Sequence, residues 1–309
     1  MKAITDYWQT INFVSIILAP LSLFFCLLVF LRRQAYRLKF FKSTVVNIPI
    51  IVVGNIYIGG NGKTPFVIWL VKQLQQAGYK PAIVSRGYGA ISEKEFGIGW
   101  PRLVNSQDEP SLFADEPLLI YQSTHCPVVI DPQRTRAVHK IVNDMDCDVI
   151  ISDDGLQHYA MARFIEIHIT DAKRLYGNKM CLPAGPLRES VTRLKSVDYS
   201  VYNISRGSDA EALPEDSFAM DYEFSTLKSL EKPLVKVVQQ SMTVADFKGK
   251  IVHAVAGIGD PDQFFALLKS YGLTIIEHAF ADHYRYKKEE LLFTDAYPII
   301  MTEKDAVKC

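Results

Sequence analysis

Apolar positions along this chain fall into three patterns, and each predicts a different element. The longest is residues 12–31, where twenty consecutive residues carry no charge and nearly all are apolar. A helix of that length rises ~30 Å, about the hydrocarbon thickness of a bilayer. Shorter charge-free runs at 50–53, 81–85 and 128–130, and the run at 147–152 with Asp148 as its one charge, predict strands buried on both faces, as in a parallel sheet. Helical spacing of apolar residues recurs at 66–76, from 118 onward, and between 134 and about 143. Strand alternating with helix predicts an α/β domain built on a parallel sheet. Residues 91–108 are too polar and broken for core, 165–170 alternate like a strand, and 197–203 read as the last strand of this unit. Small polar residues at 205–215 predict a linker. A strand at 217–224, a strand, glycine turn and helix over 251–271, and short strands at 274–276 and 297–301 then predict a second, smaller α/β unit.

Charge refines the first pattern. The apolar run ends at Arg32 and Arg33, with Arg37, Lys39 and Lys42 close behind. Basic residues on that side place the rest of the chain in the cytoplasm. Pro20 leaves both a spanning and an interfacial helix open, and no small-residue cleavage site follows to mark a secretory signal. Formal net charge is zero, so no global field points to nucleic acid. The five cysteines, Cys26, Cys126, Cys147, Cys181 and Cys309, lack metal-ligand spacing, which fits a reducing compartment and argues against a disulfide framework or structural zinc.

The candidate chemistry sits at strand ends. After the first strand comes Gly59-Gly60-Asn61-Gly62-Lys63-Thr64-Pro65, and a helix follows. Glycines there let backbone N–H groups close on phosphate oxygens, and the new helix turns its positive end to the same place. Lys63 would reach the β/γ-phosphates and Thr64 would ligate Mg²⁺. The motif is imperfect, since a full phosphate loop wants glycine where Tyr57 stands. A later strand ends in Asp153-Asp154-Gly155, adjacent carboxylates that suit a divalent cation opposite Thr64. Arg86 follows the strand at 81–85, where ligands bind in open α/β sheets, although a solvated turn arginine reads equally well. Asp115-Glu116-Pro117 looks like ordinary helix-start chemistry, and Gly257-Ile258-Gly259 is weak evidence for a second nucleotide site. The loop at 182–189 is rigid and presents one arginine, Arg188.

Assembled, these stretches resemble the tetraacyldisaccharide 4′-kinase family, the lipid A 4′-kinases, over nearly the whole chain. The resemblance rests on residues 59–65, Ser85-Arg86-Gly87-Tyr88-Gly89, Asp115-Glu116-Pro117, residues 153–158 and 182–189, Ala256-Gly257-Ile258-Gly259, Asp282-His283 and residues 302–308. It implies ATP- and Mg²⁺-dependent phosphorylation of the 4′-hydroxyl of a lipid A disaccharide 1-phosphate at the cytoplasmic face of the inner membrane. It also implies an anchoring helix at 1–35, a phosphate-loop kinase domain at 36–204, a second domain at 205–309 completing a cleft, and a further element past Cys309. Membrane lipid is the second implied partner, and no protein partner is. Asp153 and Asp154 being assigned to metal, Asp115 is the remaining carboxylate for a base, and the resemblance points to His283 as its partner. Two rivals remain: a membrane-tethered GTPase switch, for which Thr302-Glu303-Lys304-Asp305 has the wrong order, and a nucleotide-gated scaffold without turnover.

Overall fold

The computed structural model describes residues 7–59, 62–91, 97, 99–105, 108, 110–204, 213–221, 226–227 and 242–309. Helix α1 (Phe13–Arg37) starts where Asn12 Oδ1 accepts from the Ser15 N–H at 3.1 Å and Ser15 Oγ accepts from the Asn12 N–H at 2.8 Å. That reciprocal cap fixes its first turn, and the helix runs on through Pro20. One stripe lies against the domain along the helix. Ser15 and Ser22 are buried, Ser22 Oγ donates to the Cys181 carbonyl at 2.7 Å, and Arg33 Nη2 donates to Ser196 Oγ at 2.6 Å. Phe13, Ile17, Leu23, Phe24 and Leu28 on the other faces are exposed.

The same stripe corrects the cysteine expectation, because Cys26 and Cys181 form a disulfide across 155 residues. No spacing rule connects two residues that only the docking of α1 brings together. Cys126, Cys147 and Cys309 are free.

The first sheet takes its strands in chain order as β1 (Ile50–Gly54), β2 (Pro81–Ser85), β3 (Arg102–Leu103), β4 (Val128–Ile130), β5 (Val149–Ser152), β6 (Ile165–Asp171), β7 (Tyr199–Asn203) and β8 (Ser217–Met220). Their spatial order is β3-β4-β2-β5-β1-β6-β7-β8, and β3 alone runs antiparallel. Helices α2 (Lys63–Gln76), α3 (Pro110–Phe113), α4 (Asp115–Thr124) and α5 (Arg134–Asp144) connect them. Strand periodicity divides the core into two layers. Ile51, Val53, Ile83 and Ile151 pack with Phe66, Val67, Val71, Leu118 and Ile120, from α2 and α4. Ile50, Val52, Ala82, Val84 and Ile150 pack with Ala137, Val138 and Ile141 of α5 on the opposite face. Each fully buried aliphatic side chain contributes about 1.5–3 kcal/mol, and a one-residue slip would exchange the two layers, so register is firmly set.

A second compact unit spans Tyr222–Cys309, the first being Met1–Asp221. It contains a short antiparallel pair, β9 (Thr226–Leu227) with β10 (Met242–Thr243), and a parallel sheet ordered β12-β11-β13. Its elements are β11 (Ile251–Ala256), α6 (Pro261–Ser270), β12 (Thr274–Ala279), β13 (Ile299–Met301) and α7 (Glu303–Ala306). Val252, Ala254, Ala256, Phe265, Leu268 and Ile300 form its core. The strand expected to open this unit, at 217–224, instead pairs in parallel with β7 as β8 and belongs to the first sheet.

Candidate active site

Because β5 lies between β1 and β2, the carboxyl ends of all three strands are neighbours. Gly155 lets the β1 and β5 ends close together, since a Cβ there would meet Ser152 Oγ at 2.5 Å and Val52 Cγ1 at 2.9 Å. Gly62, at φ +85°, turns the chain into α2 in a left-handed conformation that costs other residues energy. Lys63 is the first residue of that helix and Thr64, half-buried, the second. Lys63 Nζ stands 3.5 Å from Asp154 Oδ1 and 3.5 Å from the Gly59 carbonyl. The loop lysine from one strand end thus meets the acidic end of its neighbour. Gly59 is at φ +126°, while Gly60 and Asn61, expected to cradle phosphate, lie outside the described residues.

The two aspartates differ in environment. Asp153 is buried, and burial, then the Glu116 and Asp154 charges, raise its carboxyl to about 7 against the pull of Lys63 and Arg134. For Asp154 burial also acts upward, but Lys63, Arg188 and Arg134 outweigh it and hold the carboxyl at about 2. Arg188 Nη1 donates to Asp154 Oδ2 at 2.8 Å, and buried Arg134 donates through Nη2 to the Asp153 carbonyl at 2.8 Å. Burial lowers the Arg134 guanidinium from its usual value, and its Nε has no hydrogen-bond partner. His158 nearby is held down at about 4 by burial and by the Arg134, Arg163, Arg32 and Arg86 charges, so it is neutral at pH 7.

Asp153 Oδ1 and Ser152 Oγ are buried without hydrogen-bond partners. An unpartnered buried carboxylate oxygen is costly, and a divalent cation would satisfy it, so the residues fit Mg²⁺. Among the described residues no three His, Cys, Asp or Glu side chains cluster to hold a metal unaided. Mg²⁺ commonly takes one or two carboxylates and fills its other positions with water and substrate phosphate.

Of the other expected residues, Asp115 is half-buried and begins α4, and Arg86 is exposed just past β2. Asp115 is not the helix cap. The cap position is Ala114, at φ +69°, which makes no side-chain capping bond. Asp154 at φ +48° and His283 at φ +60° also hold left-handed backbone. Non-glycine residues adopt it at a cost of about 1–3 kcal/mol, and such strain concentrates at functional sites. His283 belongs to the second unit and Asp115 to the first.

The arginines that crowd Asp154 were missing from the residues assigned by sequence. Arg188 was noticeable in its proline-rich loop, and its backbone N–H donates to the Ile56 carbonyl at 2.7 Å, tying that loop to the segment after β1. Glu189, buried beside it, accepts from Gln157 Nε2 at 2.9 Å and from the Tyr159 hydroxyl. Arg193 joins Tyr159 to Glu166, and Arg163 reaches the same Glu166 at 2.7 Å. This network sets Arg188 over the Asp154 turn. His168 is buried, stacks on Tyr176 with ring centres 6.1 Å apart, and is held at about 3 by burial and the Arg193 and Lys63 charges.

A family model described as tetraacyldisaccharide-1-P 4′-kinase matches residues 14–309. The tetraacyldisaccharide 4′-kinase of Nitrosococcus oceani is 41% identical over 99% of this chain and 85% of its own length. That of Methylobacillus flagellatus is 44% identical over 95% of the chain and 83% of its own length. A crystal structure of LpxK from Aquifex aeolicus in complex with ATP superposes with a TM-score of 0.76 at 26% identity, covering 95% of this chain and 90% of that one.

Proposed function

The chain belongs to the tetraacyldisaccharide 4′-kinase family, and from that premise we propose which of its residues carry out each part of the reaction. It is a phosphotransferase that passes the γ-phosphoryl group of ATP to the 4′-hydroxyl of a tetraacylated glucosamine disaccharide 1-phosphate, a step of lipid A synthesis. The observation that carries the assignment of residues is the meeting of Lys63 with Asp154 at adjacent strand ends, 3.5 Å apart.

Lys63, with the N–H groups of residues 59–64, binds the β- and γ-phosphates and keeps positive charge where negative charge develops. Asp154 holds the Lys63 and Arg188 cations in place, and Arg134 with its unpartnered Nε and exposed Arg86 add donors for phosphate oxygens. Asp153, Thr64 and Asp154 are the residues to hold Mg²⁺, which when bound neutralises charge on phosphoryl oxygens. Asp115 orients the acceptor hydroxyl and takes its proton, and His283 is a second catalytic residue. The alternative of a nucleotide switch or scaffold is not favoured by the relatives, which are kinases by name.

The apolar faces of α1 rest in the inner membrane on its cytoplasmic side. Contacts from Ser15 to Arg33 bind one side of the helix to the domain along its length, which favours a helix lying in the interface over one threading the bilayer. The test supplies the purified chain with γ-labelled ATP and the disaccharide 1-phosphate in mixed micelles. Label at the 4′ position is expected. Asp115→Ala should cut turnover by roughly 10²–10⁴-fold with nucleotide affinity unchanged. Loss of nucleotide binding in that variant would assign Asp115 to the fold instead.

A further inference from the structure

The loop that carries Arg188 ends a chain of hydrogen bonds whose direction is fixed at every step. Buried Arg193 has donors only, so its Nε–H, 3.1 Å from the Tyr159 oxygen, makes that oxygen an acceptor. Its other two nitrogens are taken up by Ser196 Oγ, 2.7 Å from Nη1, and by Glu166, which accepts from Nη2. The Tyr159 hydrogen is then left for Glu189 Oε2. Burial and the Glu189 charge raise this hydroxyl above its usual value, so it keeps its proton at neutral pH. The other carboxylate oxygen of Glu189 accepts from Gln157 Nε2 at 2.9 Å, and the Asn55 carbonyl accepts from the same nitrogen at 3.0 Å.

Those two contacts settle which way the Gln157 amide faces. A carboxylate oxygen and a backbone carbonyl both accept, so the side that meets them has to be the NH₂. Gln157 Oε1 is thereby turned to Arg188 Nη1 at 3.5 Å, and Asp154 Oδ2 accepts from the same nitrogen at 2.8 Å. Arg188 is held through Nη1, and its Nε and Nη2 make no hydrogen bond among the described residues. Those two nitrogens form another edge of the planar guanidinium, one able to grip two oxygens of a single phosphoryl group side by side. We propose that Gln157 is a positioning residue, oriented by Glu189, that fixes the Arg188 guanidinium through Nη1 and so presents its Nε and Nη2 edge to phosphoryl oxygens of the nucleotide. The proposal rests on the reading of Arg188 as one of the cations at the phosphates. It gives Gln157, Glu189 and Tyr159 a part in the reaction that acts through Arg188.

The experiment pairs steady-state kinetics on the full chain with ¹⁵N-arginine NMR. Gln157→Met keeps the length of the side chain and removes the amide, and it should lower kcat roughly 10–100-fold. Glu189→Gln should act in the same direction, because an amide at position 189 can turn its own NH₂ toward Gln157 and reverse that group. In an Arg188→Ala background Gln157→Met should cost less than about twofold, since residues that act as a unit are not additive. The wild type should give separate Nη1 and Nη2 signals for Arg188, identified by their loss in Arg188→Lys, and Gln157→Met should merge them as the freed group turns about its Nε–Cζ bond. A glutamine that only supports the fold would slow the Arg188→Ala enzyme as much as the wild type and leave the two signals apart. Losses that multiply, signals still separate in Gln157→Met, or its full kcat beside a slow Arg188→Ala overturn the proposal by itself. Full turnover in Arg188→Ala overturns the reading of Arg188, and this inference with it.

Discussion

The chain twice builds a strand, a glycine turn and a helix, and the two copies have different uses. After β1, the turn leads through left-handed Gly62 into a helix whose first residue is Lys63, and the cation faces a carboxylate from the next strand. After β11, Gly257 donates its N–H to the buried carboxylate of Asp305, and Pro261 starts α6 at once. The second turn already holds an anion, supplied by its own chain. What distinguishes a phosphate site from its look-alike is which group the backbone donors find, and the glycine pattern alone does not say.

Four variants sharpen or break that contrast. Asp305→Ala strips the second turn of its internal anion and leaves the almost fully buried Lys308 ammonium without that carboxylate. Breaking a buried pair in this way costs about 3–5 kcal/mol, so chemical denaturation should show a much less stable second unit, with nucleotide affinity retained by the first. Lys63→Ala should lose on the order of 10²-fold or more in kcat/KM, and a variant of normal activity would make the first turn as structural as the second. Gly62→Ala forces a side chain into the left-handed region at a cost of about 1–2 kcal/mol and should weaken ATP binding. Gly259→Ala should change stability by no more than about 0.5 kcal/mol, because its added Cβ would have Asp282 Oδ2 at an ordinary 3.6 Å. Calorimetric titration should find one nucleotide per chain, and a second site lost in Gly259→Ala would erase the distinction.

Periodicity was enough for the core. The run at 81–85 became β2 with every residue buried, and the alternation at 50–53 assigned Ile51 and Val53 to one layer and Ile50 and Val52 to the other. The glycine turn before Lys63 and the Asp153-Asp154 turn were legible as candidates because their spacing is local. Arg134 and Arg188 were not assigned, since only the order β2-β5-β1-β6 and the Glu189 network bring them to Asp154. Cys26 and Cys181 gave no signal for the same reason. The strand at 217–220 was placed in the wrong unit because a polar stretch before it looked like a boundary, and hydropathy does not report which edge a strand joins. Asp115 was left as a candidate once Asp153 and Asp154 were set aside for metal, whereas its pairing with His283 came from the family resemblance and not from spacing.

Ser22 and Cys26 grip residue 181, Trp8 Nε1 donates to the Pro183 carbonyl at 3.1 Å, and farther along the same loop Arg188 touches Asp154. Helix α1, with its exposed apolar faces, and the loop that brings Arg188 to Asp154 are therefore one mechanical piece. If α1 lies in a lipid surface, the enzyme searches a plane instead of a volume. Its velocity follows the mole fraction of acceptor in the lipid phase, so diluting that acceptor with inert lipid at constant bulk concentration slows the reaction.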